Sequence, residues 1–130
     1  MKRTRNISLS AIATLLILMW SACYYDEVVP GASIADVGQI SFTTDIIPIF
    51  NASCNMSGCH NTGGQAPDLS ASNAFNALTN GGYINTSNAS ASELYKWMNN
   101  EESLSMPLSG PNATYNAKVL AWIEQGGSNN

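Results

Sequence analysis

The chain holds one histidine, and it stands directly behind the second of two closely spaced cysteines: Cys54-Asn55-Met56-Ser57-Gly58-Cys59-His60. Thiols so close in sequence meet at the neck of a short loop, so whatever joins or loads them dictates the local fold. Four chemistries suit such a loop. A structural disulfide is the common use of paired cysteines in an exported chain. Zinc needs four ligands, so an acid such as Asp68 would have to join the two thiols and the imidazole. A thiol redox pair ordinarily has two intervening residues at a helix start in an α/β context, which is absent here. A c-type haem needs two thiols, one for each vinyl group, and an imidazole beside the second thiol to meet the iron. The disulfide gives the adjacent histidine no role, whereas haem attachment requires it. The common haem motif has two residues between the cysteines and this one has four, with Gly58 and the small Ser57 allowing the extra residues to bulge outward.

A third cysteine makes the count odd, and its surroundings explain it. Lys2, Arg3 and Arg5 precede an apolar run from Ile7 to Trp20, broken by Ser8, Ser10 and Thr14, and no further charge appears before Asp26. A basic start followed by a short apolar stretch is the pattern of a secretory signal. The stretch is shorter than the ~20 apolar residues of a spanning helix. It ends in Trp20-Ser21-Ala22-Cys23, which resembles the lipobox of bacterial lipoproteins except that Trp20 stands where most have Leu. That resemblance implies cleavage before Cys23, acylation of Cys23, and an anchor in a bacterial envelope membrane, on the periplasmic side or at the outer membrane. The alternative is a cut after Ala22 that leaves Cys23 as a thiol. Tyr24 to about Ile40, with Pro30, Gly31 and Gly38, reads as an extended tether. The expected organisation is a leader over 1–22, a tether over 23–39 and one folded domain over 40–130, in keeping with the roughly 100–200 residues of a typical domain.

Beyond the leader the chain has two basic residues, Lys96 and Lys118, against all nine acidic ones, a net charge of −7. Such a surface cannot neutralise a phosphate backbone, which argues against nucleic acid as a partner. It suits a protein partner with a basic docking surface.

The domain reads as all-α. Phe42, Ile46, Ile49 and Phe50 share one helical face, with Thr43 or Thr44 as N-cap and Asp45 in the first turn. Further helices are expected over Ser70–Leu78, Ser92–Asn99 and Thr114–Gln125. The last has Tyr115, Val119, Trp122 and Ile123 on one face, Asn112 or Thr114 as cap, and Gly126-Gly127 at its end. No alternating strand pattern of any length competes. Between the histidine and the second helix, Pro67 supplies a carbonyl without an N–H, able to accept the second imidazole proton of His60 and so fix its tautomer. A loop proline with no partner is the plainer alternative.

If His60 binds a haem iron, the opposite face needs a second ligand, and there is no second histidine. Met56 lies inside the attachment loop and is too constrained to reach that face. Met98 belongs to a helix that also supplies core through Leu94 and Trp97. Met106 precedes Pro107, which biases it toward an extended conformation able to present a thioether, so Met106 is preferred over Met98.

The run Phe42–Phe50, the Cys54–His60 motif, Ala66-Pro67-Asp68-Leu69, Gly81-Gly82-Tyr83-Ile84-Asn85, Met106-Pro107 and Trp122-Ile123-Glu124-Gln125-Gly126-Gly127 together resemble, in order, the small single-haem c-type cytochrome domains of bacterial lipoproteins. The resemblance covers nearly everything from Ile40 to Gly127. It implies a class I cytochrome c-like helical domain wrapped around one covalently attached haem c. Cys54 and Cys59 would hold the vinyl groups, with His60 and Met106 as axial ligands of the iron. Pro67, Tyr83 and Trp122 would lie in the haem pocket, and the helices over 44–53 and 114–125 would cross beside the cofactor. The implied role is one-electron transfer to a redox partner at a membrane surface, without substrate turnover. Two rivals remain at this point: an envelope lipoprotein with a Cys54–Cys59 disulfide and a binding role, and an open-site haem sensor or weak peroxidase in which Met106 does not ligate.

Overall fold

A computed structural model describes residues 38–130. The leader, Cys23 and most of the expected tether lie outside the described residues. Among the described residues the structure is helical, without strands, and no helix is long and apolar enough to cross a membrane. Among the described residues, Gly38 and Gln39 are exposed and Ile40 is the first buried side chain.

The first helix opens with a wide π-helical turn, Phe42–Ile46, that runs into α1, Ile47–Ser53. Its cap is Ser41 rather than Thr43 or Thr44. The Ser41 hydroxyl accepts from the Thr44 amide at 3.3 Å, while Asp45 Oδ2 accepts from the Ser41 amide at 3.0 Å. This reciprocal pair satisfies two of the donors that a helix start leaves unbonded. Pro48 has no N–H to offer the Thr44 carbonyl, and the turn before it widens so that the Ile47 amide reaches the Phe42 carbonyl. Two more free donors are met from the far end of the chain, where Asn130 Oδ1 accepts from the Phe42 amide at 2.8 Å and the Asn130 carbonyl from the Thr43 amide at 2.9 Å.

Helix α2, Ala74–Asn80, starts later than the sequence suggests, because residues 70–73 form turns held by the Asp68 carboxylate. A short 3₁₀ turn, Ala89–Ala91, leads to α3, Glu93–Met98, which buries Leu94 and Met98 one turn apart. Helix α4, Ala113–Glu124, is capped by Asn112, whose side chain accepts from the Tyr115 amide at 3.1 Å. It ends in Gly126 and Gly127, both at positive φ, where the Gly127 amide returns to the Trp122 carbonyl. A side chain is disfavoured in that left-handed backbone, so the glycine pair stops the helix.

The core gathers where α4 meets the opening turn. Phe42 has ring centroids 5.0 Å from Trp122, 5.4 Å from Phe75 and 6.3 Å from Phe50. Around this cluster lie Ile46, Ile49, Leu69, Leu78, Val119 and Ile123, all buried. Lys118 pairs with Asp45 at 3.3 Å across the same junction. Asn116 of α4, itself buried, donates to the Met98 carbonyl at 3.0 Å and so ties α4 to the end of α3.

Candidate functional site

Helix α1 ends at the cysteine loop. The amides of Cys54 and Asn55 both reach back to the Phe50 carbonyl at 2.9 Å, after which the chain leaves the helix. The His60 amide then donates to the Cys54 carbonyl at 3.1 Å and the Cys59 amide to the Met56 carbonyl at 2.9 Å. These bonds close the six residues from Cys54 to Cys59 into one turn and let Met56, Ser57 and Gly58 project into solvent. Gly58 adopts φ +80° with open space around it, the left-handed conformation that the outward bulge requires.

Both thiols are unpaired and half-buried. Burial, with the neighbouring Cys59 adding, pushes the Cys54 thiol up to about 11. A thiol with so high a pKa is protonated at neutral pH, the opposite of the low-pKa thiolate that a disulfide-exchange nucleophile uses. Among the described residues no three or more His, Cys, Asp or Glu side chains come together as a metal-binding group. Asp68 in particular does not join the cysteines as the fourth ligand a zinc site would need. Its carboxylate is taken by the Ser70 amide at 2.9 Å, the Ser70 hydroxyl at 2.6 Å and the Asn73 side chain at 2.8 Å. Those bonds hold its pKa down at about 2.

The His60 ring lies 3.1 Å through Nδ1 from the Pro67 carbonyl. A carbonyl can only accept, so at this contact Nδ1 carries a proton and donates, and in the neutral ring the lone pair is then on Nε2. The backbone around the ring is also fixed: the Leu69 amide donates to the His60 carbonyl and the Gln65 amide to the Cys59 carbonyl, both at 2.7 Å. Of the two alternatives for Pro67, the structure has the bonded one.

The two methionines part company. Met98 is buried in the core, while Met106 is half-buried in the loop after α3, its amide donating to the Trp97 carbonyl at 3.1 Å. That loop is braced by α3. Lys96 pairs with Glu102 and, at 3.6 Å, with Glu93, which also accepts from the Trp97 indole at 2.8 Å. Trp122 belongs to the aromatic cluster around Phe42 and donates its indole N–H to the Ser128 carbonyl at 2.9 Å. The half-buried Tyr83 packs against the same core, its ring lying over Gly81. Both aromatics therefore pack against the hydrophobic core.

Several groups at the site escaped the sequence reading. Asn61 Oδ1 and Ser105 Oγ are buried without a hydrogen-bond partner, and they adjoin His60 and Met106 respectively. Among the described residues, the exposed large apolar side chains, Met56, Leu104 and Leu108, lie in the same two segments, the cysteine loop and the Met106 loop. The bracing role of Asp68 had a signal in the Asp-x-Ser spacing, which favours a side-chain bond two residues ahead. The ion pairs of Lys96 had one in its three-residue spacing from Glu93. No family model matches the chain, and neither does any curated protein or solved structure.

Proposed function

We propose that the domain is a membrane-anchored mono-haem c-type cytochrome that carries single electrons. The observation that carries this role is the His60–Pro67 contact, which leaves Nε2 of a histidine adjoining an unpaired two-cysteine loop as a ready donor to iron. The donor set fits the group: two unpaired thiols at the neck of one turn, an imidazole oriented by a backbone carbonyl, and a thioether on the half-buried loop after α3. Met56 in the cysteine loop and Leu104 and Leu108 in the Met106 loop are exposed apolar side chains in the two segments that carry those donors.

Haem c, when bound, supplies reversible one-electron exchange between ferric and ferrous iron. Cys54 and Cys59 would hold it through its vinyl groups, and His60 and Met106 would be its axial ligands. The Nδ1–H bond to Pro67 strengthens the imidazole as a donor. A thioether ligand from Met106 would favour the ferrous state and give a higher potential than two imidazole ligands. Both lysines beyond the leader are engaged with carboxylates, Lys96 with Glu93 and Glu102 and Lys118 with Asp45. The remaining acidic residues attract a basic redox partner, with an attraction that fades as salt rises. The export leader and a lipidated Cys23 would place this chemistry at a bacterial envelope membrane.

The test is co-expression of the full chain with a haem-attachment system, followed by denaturing electrophoresis with haem staining and mass measurement of the tryptic peptide containing 54–60. Covalent haem on that peptide is the expected result, lost in Cys54→Ser/Cys59→Ser. A colourless chain with a Cys54–Cys59 disulfide would overturn the proposal in favour of a binding lipoprotein. Attached haem whose ferrous spectrum changes fully on adding carbon monoxide would point to an open-site sensor.

A further inference from the structure

His60 is gripped at two points by one tripeptide. Its ring donates to the Pro67 carbonyl, and its own carbonyl accepts from the Leu69 amide. Asp68 stands between the two. Its Oδ1 accepts from the amide and hydroxyl of Ser70 and its Oδ2 from the Asn73 side chain, at 2.6–2.9 Å. Asn73 immediately precedes α2, and Leu69 is buried in the core. The carboxylate therefore staples the tripeptide to the start of α2 while Leu69 anchors it below, which leaves the Pro67 carbonyl little freedom to turn. Hydrogen bonds to an ionised acceptor are roughly twice as strong as neutral ones, so a carboxylate makes a firmer staple than an amide or hydroxyl.

We infer that Asp68 is a positioning residue for His60: by fixing the Pro67–Leu69 backbone it holds the Pro67 carbonyl in place as the acceptor of the His60 Nδ1–H and so fixes the orientation of the ring. Asp68 touches neither the ring nor any ligand and acts through Pro67. The hold on the ring stands on the chain alone. Its consequence for a bound iron rests on the cytochrome reading.

Because the chain has one histidine, selective ¹⁵N-histidine labelling of the full chain reports a single ring. In Asp68→Ala, solvent exchange of the His60 Nδ1–H should speed up about tenfold, as expected for loss of a local charge-assisted brace, while the Val119 amide in α4 is unchanged. Asp68→Asn keeps an acceptor for Ser70 and should fall between parent and Ala. Should Asp68→Ala fail to fold, Ser70→Ala removes one of the three bonds and should give a smaller increase at the same proton. Exchange at Nδ1 within about twofold of the parent, or a rise matched at Val119 and so global, would refute the positioning role. In haem-loaded protein, Asp68→Ala should also raise the midpoint potential, because a looser Nδ1–H bond makes a weaker donor. An unmoved potential alongside faster exchange would overturn the extension to iron. A chain that never acquires haem overturns the cytochrome reading, and the exchange measurement still decides the role of Asp68.

Discussion

Leucine and alanine substitutions at the two methionines separate packing from ligation. Met98 is 3% exposed and lies among Leu94, Val119 and the rest of the core. Truncating it to alanine leaves a cavity that costs about 3 kcal/mol, within the range for large-to-small core changes. For a domain of this size each kcal/mol moves the melting temperature by about 4–8 °C, so Met98→Ala should melt roughly 12–24 °C below the parent. Met98→Leu conserves volume and should cost under ~1.5 kcal/mol. Neither change should alter the sulfur-to-iron absorption band at the red end of the spectrum in haem-loaded, folded protein. Met106 sits half-buried on a loop, where side-chain removal opens no closed cavity. Met106→Leu should abolish the band, because leucine is of similar size and cannot ligate. Thermal melts by circular dichroism and absorbance spectra on the same preparations give both readouts. Loss of the band in Met98→Leu with its retention in Met106→Leu would reverse the assignment, and retention in both would mean that no thioether binds the iron.

Phe42→Ala removes the ring that contacts Phe50, Phe75 and Trp122 together and should cost about 3–5 kcal/mol, read as a fall in the denaturant midpoint with little change in slope. The acid limb of stability should carry the mark of Asp68. Its pKa is lowered in the folded chain, so the stabilisation it gives is complete above its ordinary value of 3.8 and is lost as pH falls toward about 2. In Asp68→Asn this part of the limb should flatten, and an acid titration of the melting temperature with the parent slope between those values would show that the carboxylate is not engaged.

The helices were legible because their apolar residues recur at helical spacing and their caps are local. Asn112 caps α4 as expected, and the Gly126-Gly127 stop needs nothing beyond its own backbone. The start of α1 was misplaced for an equally physical reason. Thr43 and Thr44 are good capping residues in isolation, but Pro48 widens the turn ahead of it and moves the cap back to Ser41. Trp122 illustrates another limit. Periodicity says that an aromatic is buried, and it does not say against what: Trp122 meets Phe42, some 80 positions away, a pairing with no local signature. The cysteine–histidine motif was fully visible in the sequence, as was a proline carbonyl able to serve His60. The supports around them came from side chains that look like ordinary loop polarity until their partners are known.

Those supports arise from different parts of the chain. His60 is fixed through Pro67, Asp68 and Leu69, a segment stapled to the start of α2. Met106 hangs from the Trp97 carbonyl on a loop braced by the Lys96–Glu102 pair of α3. Helix α4 ties to α3 through Asn116 and the Met98 carbonyl, and to the opening turn through Lys118 and Asp45. His60 and the Met106 loop are therefore each held by hydrogen bonds and ion pairs of the chain itself. The division of labour also bears on the methionines. Met98 has its carbonyl and its side chain both committed to the core, so moving it toward a ligand would disturb α3 and its contact with α4. Met106 has its amide engaged with the Trp97 carbonyl and its half-buried side chain lies outside that core cluster.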